Sequence, residues 1–420
     1  MQEFRTDHPE QYKKKALQWA SLFDTACYFD SNGYPDPYSA FDVLIAAGAK
    51  TQVTASAGTA FTELEEFLKR TSGYRLGFFG YDLKNETENL VSGNPDHLGF
   101  PDLFFFEPVH LIVISGNLVR ITSPDASGIH GEITRGPEPL PGNTRADLRP
   151  RMSRAEYIRI VEKIRGHIGR GDAYEVTFCQ EFYAEDTAAD PVSVFLQLNA
   201  SSPTPFSNFF RLNDKYIISA TPERFLSRRG RKLISQPIKG TAPRSPHAAE
   251  DRRNRDRLLL DEKERAENVM IVDLVRNDLT RCAVPGTVTV EELFGIYSFP
   301  QVHQMISTVV CEASPALSDT EIIRNAFPMG SMTGAPKLRA MELIETYERS
   351  ARGVYSGAVG YFSPWGDFDF NVIIRTVLYN ASLHYLSCHV GSAITYEADP
   401  AREYDECLLK AAAIQAVLKP

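Results

Sequence analysis

Strand-like and helix-like stretches of this chain come in clusters, and that arrangement constrains the fold more than any other feature. Buried-strand patterns occur at 77–81 and 109–119, and again at 173–182, 206–210, 216–220, 354–362, 368–377 and 384–396. Helical spacing occurs at 61–70, 153–169, 261–278 and from Pro400 nearly to the end. Ser153 is a fitting N-cap for the second of these, with Glu156 closing a capping box. A doubly wound sheet needs regular strand–helix–strand alternation, which is absent, so the expected class is α+β with antiparallel sheets.

Residues 123–150 (SPDASGIHGEITRGPEPLPGNTRADLRP) are rich in Pro, Gly and charge and lack apolar periodicity. They predict a linker between an N-terminal region, 1–122, and a larger region, 151–420. The formal net charge of −9 argues against a nucleic-acid surface, though a site on an acidic protein can still be locally basic. The six cysteines, Cys27, Cys179, Cys282, Cys311, Cys388 and Cys407, are widely spaced and show no C-x-x-C pair, as expected for reduced thiols rather than a disulfide or zinc framework. The first residues are polar, without an apolar signal core. The most apolar long stretch, 103–115, is broken by Glu107, Pro108 and His110 and is too short for a bilayer span. A cytoplasmic protein that binds neither membrane nor nucleic acid is expected.

Five motifs could carry chemistry. In QPIKGTAPR (236–244), Lys239 lies between a proline and Gly240, where a ligand can approach the backbone. A lysine becomes nucleophilic when burial or a nearby cation lowers its pKa, and Arg244 is a candidate cation. Taken alone, such a lysine is more often solvated in a turn. The helix that begins EKERAE (262–267) sets Glu264 and Glu267 on one face and runs into NVMIVDLV, which is apolar nearly all round. Carboxylates entering a buried helix need a partner, and a hard cation would serve. An exposed first turn stabilised by the helix dipole is an equal alternative. The last helix, with Asp399 as N-cap and Pro400 at N1, repeats the pattern: Glu403, Glu406 and Lys410 line up beside the apolar stripe. FPMGSMTGAPKLRAM (327–341) is a glycine-bearing loop before a helix that could offer N–H groups to an anion, but its spacing does not fit a P-loop. Finally, Arg375 sits in the apolar strand NVIIRT and should find an anion.

In this order and combination, the motifs resemble the chorismate-binding enzymes, whose members include anthranilate, aminodeoxychorismate, isochorismate and salicylate synthases. The resemblance is close from Ser153 to the C-terminus. It is looser before that, through PDPYSAFDVLIAAG (35–48) and GFFGYDLKNETENL (77–90). It implies a two-lobed, anthranilate-synthase-like α+β fold, with facing antiparallel sheets and surrounding helices. Anthranilate synthases carry alanine where this chain has Lys239, whereas aminodeoxychorismate synthases carry lysine. The resemblance therefore implies that Lys239 attacks C2 of chorismate and expels the 4-hydroxyl. Ammonia then adds at C4, giving 4-amino-4-deoxychorismate for p-aminobenzoate and folate. Glu223, in TPER, matches the general acid near that hydroxyl. Glu264, Glu267, Glu403 and Glu406 match Mg²⁺ ligands that neutralise the ring carboxylate. Tyr355 and Arg375 match binders of the pyruvyl carboxylate, and Thr241, Gly391 and Lys410 match further substrate contacts. Ammonia would come from a separate glutamine amidotransferase subunit, because no glutaminase segment is visible in this chain.

Three positions depart from the family pattern. Gln304 stands where the family has histidine three residues before the serine (here Ser307), with His303 one place earlier. Either His303 substitutes through a local shift, or no histidine is needed because the pyruvyl group is retained. Glu175 replaces a glutamine, and a carboxylate there could orient ammonia, take its proton, or stand by. Ala393 replaces the second glycine of the pair begun by Gly391. Anthranilate synthase is the competing enzyme reading, opposed by Lys239. Isochorismate and salicylate synthases are opposed by Glu175, where they place a lysine. A non-catalytic chorismate-binding regulatory subunit is the competing reading from another class.

Overall fold

The computed structural model describes residues 1–139, 142 and 144–418. Two antiparallel sheets share a pair of long strands, Val43–Ala55 and Leu103–Ser115, which pair along their lengths through an irregularity between Ala49 and Thr51. From residues 43–47 one sheet continues through Thr25–Asp30, Phe206–Leu212, Lys215–Thr221, Thr376–Asn380, Tyr385–Ile394 and Glu175–Ala184. From residues 103–106 the other runs through Arg75–Phe79, Ala358–Phe362, Phe368–Val372, Arg224–Arg229, Lys232–Gln236 and Val302–Glu312. The expected α+β architecture of facing antiparallel sheets is the one observed.

Strand alternation divides the apolar residues between two cores. Cys27, Phe29, Leu44 and Ala46 point between the sheets, whereas Ala26, Tyr28, Val43, Ile45 and Ala47 point outward. The outward set is covered by helices that include Pro9–Ala20, Arg154–Gly169, Pro191–Ser201 and Pro400–Leu418. Between the sheets, Phe78 of one meets Phe210 of the other edge-on, with ring centroids 5.4 Å apart. Each fully buried phenylalanine of this kind contributes about 1.5–3 kcal/mol relative to exposure.

Several local expectations are corrected. The segment 123–150 contains the helix Ala126–Arg135, whose N-cap Asp125 accepts from the Gly128 N–H. Ile129 and Ile133 are buried beneath it, and that burial outweighs the low helix propensity of its glycines. Strands from 1–122 and 151–420 build the same sheets: Thr25–Asp30 pairs with Phe206–Leu212, and Arg75–Phe79 with Ala358–Phe362. The run 109–119 is a hairpin, turning at Gly116 with φ +56°. The helix 262–280 is buried on one face only, since Val269 lies exposed. At Ser153 the capping box is half made, because the Ser153 side chain accepts from the Glu156 N–H while the Glu156 carboxylate pairs with Arg349. The run 368–377 is two strands, one in each sheet. The chain crosses between the sheets at Arg375, a non-glycine residue with φ +52°.

Candidate active site

Lys239 reaches from Ile238–Pro243, paired in one sheet with Val302–Glu312, toward Glu175 at the start of Glu175–Ala184 in the other. Their Nζ···Oε1 distance is 2.6 Å. Glu175 is fully buried, and its other oxygen, Oε2, has no partner. The backbone beside Glu175 is closed by Gly334, which pairs with Val176; a Cβ at 334 would lie 2.1 Å from the Glu175 carbonyl oxygen. Within 327–341, where the sequence allowed a loop offering N–H groups to an anion, Gly334–Ala335 form a short strand against this wall. Gly240 has φ +102°, and the Glu264 carboxylate would stand 3.2 Å from a Cβ there, so the absent side chain gives the glutamate its place.

Lys239 is charged in this setting. Burial pulls its pKa down, but Glu175, Glu267 and Glu406 outweigh burial and leave it raised. Arg244 is not the activating cation expected from the sequence: it pairs with Asp251 at 2.8 Å and donates to the Phe299 carbonyl. Glu223, in the bend after Lys215–Thr221, is buried, which pushes its carboxyl up to about 7 despite the Ser331 hydroxyl and Lys239 beside it. A carboxyl held there carries a proton it can donate near neutral pH.

The two E-x-x-E helices face one another. Burial and then Glu267 raise Glu264 to about 7; burial also raises Glu267 and, together with Glu406, raises Glu403. The cations nearest them include Lys239, which acts on both Glu267 and Glu406, Lys263, 3.6 Å from Glu267, and Lys410, 2.6 Å from Glu406. Among the described residues no three metal-ligating side chains form a ready-made set. The donor chemistry nonetheless suits a hard cation, since partly buried carboxylates that repel one another are what such an ion relieves.

Behind this group, Lys410 donates to the Gly391 carbonyl at 2.9 Å. Gly391 pairs with Cys179, whose Sγ lies 3.6 Å from the Tyr355 hydroxyl. Tyr355 stacks on His389 with centroids 4.9 Å apart. Among the described residues Arg375 has no carboxylate within ion-pair distance, and burial lowers its pKa, as for a guanidinium that still lacks an anion. Thr241 is exposed and lies in register with Gln304. Adjacent residues on a strand point to opposite faces. His303 accordingly turns away, with Nδ1 against the Ser298 hydroxyl and Nε2 against Asp251, and does not substitute for Gln304. The Gln304 amide oxygen is buried without a partner. Sequence reasoning missed Lys263 and Cys179. Lys263 could have been found as the i, i+4 mate of Glu267. Cys179 reaches Tyr355 only through strand pairing that no local pattern displays.

Residues 24–416, nearly the whole chain, match the family of chorismate binding enzymes. The chain belongs to that family. Aminodeoxychorismate synthase component 1 of Salmonella typhimurium is 33% identical over 450 aligned positions, which cover 99% of this chain and 96% of that protein. Anthranilate synthase component 1 of Thermus thermophilus is 34% identical over 81% of this chain and 76% of its own. Anthranilate synthase component I from Streptococcus pneumoniae superposes with a TM-score of 0.78 at 26% identity, covering 91% of this chain and 93% of that one. No helix among the described residues is long and apolar enough to cross a membrane, and all six cysteines are buried and free.

Proposed function

We propose that this chain is the chorismate-aminating component of an aminodeoxychorismate synthase, working through a covalent adduct on Lys239. The observation that carries this reading is a half-buried amine, Lys239, held between carboxylates and close to a glutamate poised to give up a proton. Anthranilate synthase needs no such amine. Freed of its proton, the Lys239 nitrogen attacks C2 of the ring and both ring double bonds shift as the C4–O bond breaks, with Glu223 protonating the departing hydroxyl as water. Ammonia adds at C4, the double bonds return, and the C2–N bond breaks to release Lys239. Two allylic displacements leave the amine at C4 and the pyruvyl ether intact.

Arg375 and Tyr355 receive the pyruvyl carboxylate, and Thr241, Gly391 and Lys410 line the rest of the substrate. Glu264 and Glu267 on one helix, with Glu403 and Glu406 on the other, would hold Mg²⁺. Bound there, the ion would supply positive charge to the ring carboxylate. Ammonia comes from a separate glutamine amidotransferase subunit, in the cytoplasm. The test is Lys239→Ala with chorismate and saturating ammonia. Loss of amination by the variant, together with absence from it of a chorismate-minus-water adduct that mass spectrometry detects on the wild-type chain, supports the route. Wild-type turnover by the variant overturns it.

A further inference from the structure

Lys239 presents a chemical difficulty. An ammonium ion has no lone pair, and this one is held by a hydrogen bond to the Glu175 carboxylate at 2.6 Å. Glu175 faces it from the strand 175–184, Glu267 from the helix 262–280 and Glu406 from the last helix, with Glu223 close by on the bend before Arg224. Of these, Glu175 alone makes a hydrogen bond to Nζ, at 2.6 Å. Its second oxygen, buried and unpartnered, costs stability in the resting protein and is satisfied only if a proton or a polar ligand arrives. Gly334, whose missing Cβ lets a neighbouring strand close over the Glu175 backbone, fixes the carboxylate in place.

We propose that Glu175 is the catalytic base that takes the proton from Lys239 and so releases the nucleophile. This rests on the covalent reading above. The transfer runs within a hydrogen-bonded pair, from Nζ to Oε1, and converts ammonium plus carboxylate into amine plus carboxylic acid with no change in net charge. In a buried site that exchange avoids sending a charge to solvent. The amine then forms the C2–N bond as the C4–O bond breaks and Glu223 supplies the proton that completes water. After ammonia has added and Lys239 has departed as a neutral amine, Glu175 returns its proton to Lys239. The new C4 ammonium passes its surplus proton to Glu223, which restores the starting state. A glutamine at 175 could hold Lys239 in place but could not take its proton.

The test isolates the first half-reaction, because free ammonia titrates in the same pH range. Wild type, Glu175→Gln and Glu175→Asp are mixed with chorismate and Mg²⁺ without ammonia. Adduct formation on Lys239 is then followed by quenching and mass spectrometry, and thermal melting confirms folding. We expect Glu175→Gln to form the adduct about 100-fold or more slowly near neutral pH, the usual size of a general-base contribution. The wild-type-to-variant ratio should shrink as pH is raised, because solvent hydroxide then takes over the deprotonation of Lys239. Glu175→Asp should be slower than wild type yet keep its pH profile. A Glu175→Gln rate equal to wild type would overturn the proposal, as would a deficit that stays constant with pH, the mark of a purely structural role. An aspartate variant that needs high pH as glutamine does would overturn it too. Absence of any adduct on wild type would instead sink the covalent reading itself.

Discussion

Removing the guanidinium of Arg352 should destabilise the site more than any change at its mouth. Arg352 is buried, with Nε and Nη2 donating to the two oxygens of Glu348 at 2.9 and 2.6 Å. Its Nη1 donates to the Met332 carbonyl at 2.7 Å and its Nη2 to the Thr177 carbonyl at 2.9 Å. Glu348 in turn accepts from the Cys179 N–H. One side chain thus ties together the loop before Gly334, the strand that bears Glu175, and the turn that bears Tyr355. Arg352→Met fills similar volume but leaves Glu348 as a buried charge without its partner, a cost of about 3–5 kcal/mol. The measurement is equilibrium urea unfolding followed by fluorescence at neutral pH. Burial already raises the Glu348 pKa, and loss of Arg352 raises it further. A carboxyl with a folded pKa above its unfolded one loses stability as pH rises between the two. The variant should therefore lie nearest wild type below the ordinary glutamate range, lose ground as pH rises to the folded value, and then level off. Adding Glu348→Gln, which removes the charge but keeps an acceptor for Cys179, should recover most of the loss. A single variant within about 1 kcal/mol of wild type at neutral pH would refute this reasoning, since that is only the order of an exposed pair. So would a double variant less stable than the single one.

Further expectations concern the site itself. Because Glu223 is held at about 7, the wild-type rate of adduct formation should gain a falling limb as pH rises through that value. Glu223→Gln should lack the limb and be slower by about 100-fold or more, measured in the same quenched assay. Gly391→Ala would bring a methyl group to 2.4 Å from the Cys179 sulfur and 2.5 Å from the Phe178 carbonyl oxygen. A cost of about 1–3 kcal/mol on thermal or urea unfolding follows, with a raised KM for chorismate because the Gly391 carbonyl anchors Lys410. Chelation of divalent metal should abolish amination reversibly. Glu264→Gln should raise the Mg²⁺ concentration needed for half-maximal rate while leaving the fold intact by circular dichroism.

Much of the site was legible because helical spacing is local. The i, i+3 spacing of Glu264/Glu267 and Glu403/Glu406 set each pair on one helix face but left a solvated turn as open as a cation site, and the family resemblance supplied the rest; Asp399 caps its helix as read, accepting from the N–H groups of Ala401 and Arg402. What was not legible depends on which strands meet. The strand-like run through Arg375 concealed the crossing between sheets, because an apolar run reads the same whether it stays in one sheet or passes to another. Arg244 looked like the neighbour of Lys239 because it is five residues away, yet its hydrogen bonds go to the helix 248–260 and to Phe299. Glu175, some sixty residues earlier, is the true partner, and nothing in either segment's composition announces that pairing. Glycine content and charge made 126–135 look like a linker, where tertiary burial of two isoleucines makes a helix.

The most direct measurement of the central claim is the identity of the product. The purified chain, incubated with chorismate, Mg²⁺ and excess ammonia, should yield 4-amino-4-deoxychorismate, which keeps the pyruvyl ether and goes on to p-aminobenzoate when a lyase is added. Anthranilate and free pyruvate would contradict the claim and return Lys239 to the status of a half-buried, ion-paired bystander.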